Sequence, residues 1–214
     1  MKGVLPEKLL SDLIELTDTI TASADPKLRL NRNDTLVGEI IDEWDIGLPL
    51  LKNIKFESFL FDMIREYIQV VKFQRTPKDT HLSCSEEVFV NSHAFFKEDS
   101  WEILSSWFNN QVDDEYNPIH FHQGVLSGVL YLKIPEYLPA RKNDYQDGSI
   151  YFVGNQGFSD GLFTAANFAV SPKVGDIFLF PSTMRHTVYP FRTKDGKGIR
   201  RSMSFNVNDN IMVI

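Results

Sequence analysis

The chain has 214 residues, 43% hydrophobic and 13% aromatic, which is enough for one well-packed domain, with or without an appendage. Its 29 acidic and 22 basic side chains leave a net charge of −7 and a pI near 5.2, which argues against nucleic acid held by general phosphate neutralisation. Cys84 is the only cysteine, so an internal disulfide and a thiolate metal cluster are excluded, and any metal must be held by His, Asp or Glu.

The N-terminus, "MKGVLPEKLLSDLIELTDTI", reads as an amphipathic helix over residues 6–20 rather than as a signal peptide. No apolar run approaches the roughly 20 residues of a membrane span, which points to a cytoplasmic protein without a membrane partner. After the polar loop "SADPKLRLNRND", residues 53–75 again space their apolar side chains at three and four, as a second helix would. A third helix is expected over "SWEILSSWFNN", after the Asp99–Ser100 cap signal. From Asn117 the pattern changes to short strands broken by turn residues: "SGVLYLKI", "GSIYFV", "FTAANFAV", "GDIFLFP", "HTVYP" and "RRSMSFNV". Strands in succession without intervening helices indicate an antiparallel sandwich or barrel. The expected organisation is α+β and mainly β: a helical region 1–110 packing on a jelly-roll core 111–214, as one compact unit, monomeric or homodimeric.

Three of the five histidines lie in the strand-rich half. In "EYNPIHFHQG", His120 and His122 are two apart, so on a strand they leave one face about 7 Å apart at their roots. His186 enters the strand after "GDIFLFPSTM". In "IRRSMSFN", the period of two puts Arg200, Ser202, Ser204 and Asn206 on one face and Arg201, Met203 and Phe205 on the other. The first face is a polar lining suited to a small carboxylate in a buried pocket. Arg201 and Arg192 read as a solvated basic rim. Trp107, Phe108, Phe178 and Phe180 read as core, and His81 and His93 as surface or hydrogen-bonded residues.

In this order the segments resemble the Fe(II)/2-oxoglutarate-dependent oxygenases, in particular the prolyl-hydroxylase-like branch of bacteria and tailed phages, over roughly residues 105–208. "YNPIHFH" is similar to the strand with the family's H-x-D/E pair, "SGVLYLK" to the strand whose tyrosine binds 2-oxoglutarate, and "DGSIYF" to its Gly-rich strand start. "GDIFLFPSTMRHTVYP" is similar to the segment with the distal histidine, and "RRSMSFN" to the strand whose arginine grips the cosubstrate. The resemblance implies a double-stranded β-helix, cupin-like in architecture, with Fe(II) on His120, His122 and His186. It also implies 2-oxoglutarate held by Arg200 and Tyr131 beside Ser202, and a reaction that hydroxylates a peptide side chain or small molecule with release of succinate and carbon dioxide. Asn117, three residues before His120, either supports the ligand strand or touches the cosubstrate.

The chain departs from the family at His122, where a carboxylate is usual, although the branch it resembles commonly shows H-x-H. Three neutral imidazoles bind Fe(II), Zn(II), Ni(II) or Cu(II) with little discrimination. A carboxylate from outside the motif, such as Asp147, is the other way to complete the site. Two further functions stay open at the level of sequence: a three-histidine cupin-like dioxygenase or isomerase without 2-oxoglutarate, and a non-catalytic jelly-roll binding or structural protein.

Overall fold

The computed structural model describes residues 1–25, 27–28, 30–31, 38, 40–75, 100–139, 147–154 and 167–209, with backbone only at 71–75. Ten strands and three helices follow in the order β1 (Lys2–Val4), α1 (Glu7–Ala22), β2 (Glu43–Asp45), α2 (Leu48–Asn53), α3 (Phe56–Arg75), β3 (Trp101–Gln111), β4 (Asn117–His120), β5 (Leu126–Lys133), β6 (Ile150–Val153), β7 (Asn167–Val170), β8 (Asp176–Pro181), β9 (Arg185–Val188) and β10 (Arg200–Asp209). The fold is therefore mostly β with few helices. No helix among the described residues is long and apolar enough to cross a membrane.

The helices form where apolar residues recur with the helical period. Leu9, Leu13, Thr17 and Ile20 are the buried stripe of α1, and Phe56, Leu60, Met63 and Ile64 that of α3. Helix α1 follows Pro6 and ends where Ser23 turns extended. Both stripes meet one face of a six-stranded antiparallel sheet ordered β1-β8-β5-β10-β3-β2, burying Leu130, Leu132, Ile177, Leu179, Met203, Phe205 and Val207. The other face looks onto a four-stranded sheet ordered β4-β9-β6-β7. A smaller apolar cluster joins the two sheets: Val129, Tyr131, Phe178 and Phe180 from the larger one meet Ile150 and Phe152 of β6. The layers are helices, large sheet, small sheet.

Residues 101–111 are a strand, not the helix expected from "SWEILSSWFNN". The stretch carries both readings, because Trp101, Ile103, Trp107 and Phe108 fit a helical stripe and the polar Ser105, Asn109 and Gln111 fit an alternation. Pairing decides it: β3 lies against β10 from Arg200↔Gln111 to Asp209↔Trp101, a ladder that no local helix could replace. Strands β1, β2 and β3 of the large sheet thus come from the part expected to be helical, and the expected boundary at 110/111 cuts into the end of β3.

Strand β10 keeps a strict period of two. Its pairing with β3 slips between Asn206 and Val207, and its pairing with β5 between Arg201 and Ser202. In both cases the extra residue, Leu104 or Leu132, belongs to the partner strand, so the bulges do not invert the faces of β10. The expectations about His81, His93, residues 140–146 of the loop before β6, and residues 155–163 of the loop after it lie outside the described residues.

Candidate metal centre and cosubstrate pocket

Between the two sheets lies a cavity of about 330 Å³, at the small end of the range for small-molecule sites. Its small-sheet wall carries the three histidines. β4 pairs antiparallel with β9 and sets His120 directly opposite His186, while the alternation of "HFH" turns Ile119 and Phe121 outward and brings His122 in beside them. One ring nitrogen from each of His120, His122 and His186 lies within 4.8 Å of the other two, and Nε2 of His122 is 3.3 Å from Nε2 of His186. Two nitrogens bound at right angles to one ion, each about 2.1 Å from it, stand about 3 Å apart, so this spacing suits a shared cation.

The backbone sets the tautomers. Nδ1 of His120 is 2.7 Å from the Pro118 carbonyl and Nδ1 of His186 is 3.0 Å from the Met184 carbonyl. A carbonyl only accepts, so each Nδ1 carries the proton and Nε2 is left with its lone pair facing the cluster. Burial, together with repulsion from His186 and His120, pushes His122 down to about 3. Burial and the neighbouring His120 push His186 down to about 4, and burial lowers His120 as well. The cluster is thus neutral at pH 7 and ready to coordinate.

No carboxylate joins this group among the described residues. Asp147, the outside carboxylate considered from the sequence, lies 3.6 Å from Arg192 instead. Arg192 also donates to the Pro139 carbonyl, so it is tied into the loops rather than standing as a free rim charge.

The large-sheet wall is built from cross-strand rows. On β10, Arg200, Ser202, Ser204 and Asn206 all line the cavity, and opposite them on β3 stand Gln111, Asn109, Trp107 and Ser105. Ser202 donates to Asn109 (2.8 Å), Ser127 to Asn206 (2.8 Å), and Asn206 to Ser105 (3.2 Å). Tyr131 stands beside Ser202 on β5, fully buried, and burial pushes its phenol up to about 12, so it stays a hydrogen-bond donor. Asn117 also lines the cavity, with a buried Oδ1 that no hydrogen bond from a described residue satisfies.

The two adjacent arginines have opposite surroundings although both are buried, Arg200 at 1% and Arg201 at 3% exposure. Arg201 points to the helix side, where it donates to Asp18 (2.6 Å), Asn110 (2.6 Å) and Thr17 (3.1 Å) and lies over the Phe108 ring. It is a buried structural ion pair, not the solvated rim charge its sequence context suggests. Arg200 points into the cavity. Its Nη1 donates to the Gly148 carbonyl (2.5 Å) and its Nη2 to Oε1 of Gln111, while Nε has no hydrogen-bond partner among the described residues. No carboxylate pairs with it among the described residues. Gly148 sits at φ 70, and a Cβ there would fall 2.4 Å from the Tyr137 ring, so only glycine brings this carbonyl to the guanidinium.

Several lining residues are illegible from sequence alone. Trp107, expected to be core, also lines the cavity, its ring 5.6 Å from that of His122, and Phe180 lies 5.0 Å from His186. Gln111, Asn109 and Ser105 were hidden because their segment read as a helix; the polar alternation Ser105, Trp107, Asn109, Gln111 was the available signal.

Residues 105–206, from β3 to β10, match the family described as "Putative 2OG-Fe(II) oxygenase". The match covers 102 of the chain's 214 residues. The match brings Fe(II) as cofactor and 2-oxoglutarate as cosubstrate, and the neutral nitrogen triad and a guanidinium that no described carboxylate pairs with, in one cavity, fit the two. No curated protein matches the chain. Among solved structures it is similar to a Pseudomonas putida prolyl-4-hydroxylase (16% identity over 96% of this chain and 91% of that one, TM-score 0.50). It is also similar to the viral collagen prolyl hydroxylase vCPH of Paramecium Bursaria Chlorella virus-1 in its 2OG complex (13%, 97% and 94%, TM-score 0.50). A third is HygX of Streptomyces hygroscopicus with nickel, 2-oxoglutarate and hygromycin B bound (10%, 98% and 81%, TM-score 0.50). At such identities the likeness speaks for the fold.

Proposed function

We propose that the two sheets form a jelly-roll barrel housing an Fe(II)- and 2-oxoglutarate-dependent dioxygenase, which hydroxylates a peptide side chain or a small molecule and releases succinate and carbon dioxide. One observation carries the reading: a buried guanidinium with no carboxylate partner among the described residues opens into the same cavity as three converging neutral imidazoles. A buried charge left unpaired costs several kcal/mol, so the site is built for an anion that arrives from outside.

His120, His122 and His186 would hold the iron through ring nitrogens, with Pro118 and Met184 fixing two of the rings by their carbonyls. When bound, the iron supplies the redox chemistry that couples decarboxylation of 2-oxoglutarate to oxidation of the substrate. Arg200 would grip the distal carboxylate as a charge-assisted pair, and the neutral phenol of Tyr131 would donate to the same group. Ser202, already held by Asn109, and Asn117, with its free acceptor, complete the polar lining. Buried Phe152, Phe180 and Val129 around the histidines keep bulk water from the reacting atoms.

The neutral ligand set supports a second reading, a three-histidine metal dioxygenase or isomerase that does not use 2-oxoglutarate. Anaerobic Fe(II) titration with and without 2-oxoglutarate, followed by an assay for succinate in air, separates the two. The first reading expects tight iron binding that is lost in His120→Ala, His122→Ala and His186→Ala, 2-oxoglutarate binding to the loaded protein, and slow iron- and oxygen-dependent succinate formation without other substrate. Iron binding with neither 2-oxoglutarate binding nor turnover supports the second reading.

A further inference from the structure

Gln111 is fully buried and stands directly across the β3–β10 ladder from Arg200. Its side-chain amide is fixed at both ends. Nε2 donates to the Glu115 carbonyl, which can only accept, and Oε1 accepts from Nη2 of Arg200, which can only donate. The amide therefore cannot flip without losing both bonds. The second anchor of Arg200, the Gly148 carbonyl, is also a neutral dipole. Next to it, Arg201 shows what the same fold does with a buried arginine that is structural: it supplies the Asp18 carboxylate at 2.6 Å. Arg200 is held as firmly, but its charge is left intact.

We propose that Gln111 is the positioning residue that presents Arg200 as a fixed, uncompensated cation, and that its neutrality makes this site selective for 2-oxo acids bearing a second, distal carboxylate. The inference rests on the reading that Arg200 meets the distal carboxylate of 2-oxoglutarate. A carboxylate at position 111 would keep the contact with Arg200 but cancel its charge, closing an internal ion pair where the ligand should close it, and would give up the bond to the Glu115 carbonyl. A side chain of the same length without an acceptor would keep the charge and release the geometry.

The test compares 2-oxoglutarate with pyruvate, which has the 2-oxo acid end and lacks the distal carboxylate, as ligands of anaerobic, Fe(II)-loaded full-length protein. The wild type should favour 2-oxoglutarate by roughly 30-fold or more, as expected for a buried charge-assisted pair. In Gln111→Glu that preference should collapse to within about threefold, with pyruvate and Fe(II) affinities unchanged, because only the distal contact is neutralised. Gln111→Met should lose about tenfold of the preference, because the guanidinium is no longer held in place. A wild-type preference retained in Gln111→Glu overturns the role of Gln111. If that variant fails to bind Fe(II), as misfolded protein would, Gln111→Met decides: an undiminished preference there overturns it equally. A wild type without any preference instead refutes the placement of the distal carboxylate on Arg200.

Discussion

Replacing Arg200 and Arg201 separately by Met should produce crossed effects, since one strand presents them to different worlds. Arg201→Met removes hydrogen bonds to Asp18, Asn110 and Thr17 and the packing over Phe108. Breaking a fully buried pair costs about 3–5 kcal/mol, but the Asp18 side chain is 49% exposed and water can resolvate it, which brings the figure to about 2–3 kcal/mol. For a domain of this size that lowers Tm by about 4–12 °C. The affinity for 2-oxoglutarate should stay within a few-fold, since Arg201 faces away from the cavity. Arg200→Met leaves the Gly148 carbonyl and Gln111 Oε1 short of a donor but also removes a buried charge that no described carboxylate neutralises. These terms oppose each other, and metal-free stability should shift by no more than about 1 kcal/mol. Binding of 2-oxoglutarate should weaken by about 2–5 kcal/mol, roughly 30-fold or more. Thermal melts of the metal-free proteins and anaerobic titrations of the loaded ones supply both numbers. A large Tm loss in Arg200→Met together with retained 2-oxoglutarate affinity would refute the division of labour between the two faces.

Two more outcomes follow from the packing and the buried imidazoles. The three histidines have folded-state pKa values below the unfolded value of about 6.5, so the unfolded chain takes up protons first. Metal-free stability should therefore be full above pH 6.5 and decline as the pH falls toward 4, whereas Fe(II) binding by the folded site should persist through pH 6.5 and fail only as the pH approaches about 4. Urea melts and anaerobic titrations at pH 7.5, 6 and 4.5 test this, and a metal affinity that drops steeply at 6.5 contradicts it. Gly128 packs so closely that a Cβ would fall 2.3 Å from the Phe205 ring and 2.8 Å from the Phe178 carbonyl. Gly128→Ala should destabilise the protein by about 1–3 kcal/mol in a urea melt, and a neutral result would mean that β5 and β10 can separate without loss.

Whatever rests on short-range periodicity was legible in the amino-acid order alone. A period of two placed Arg200, Ser202, Ser204 and Asn206 on one face and Arg201, Met203 and Phe205 on the other, and put His120 and His122 on the same side of their strand. Helices α1 and α3 were legible for the same reason. The rest depended on partners far apart in the chain. "SWEILSSWFNN" became β3 because β10, about a hundred residues later, offered it a full ladder, and with that Gln111 and Trp107 entered the cavity. The fate of each arginine was equally non-local: Asp18 lies 183 residues from Arg201, and Gln111 lies 89 from Arg200. Local pattern fixes which way a side chain points, but whether a buried charge is neutralised depends on what the fold brings to meet it.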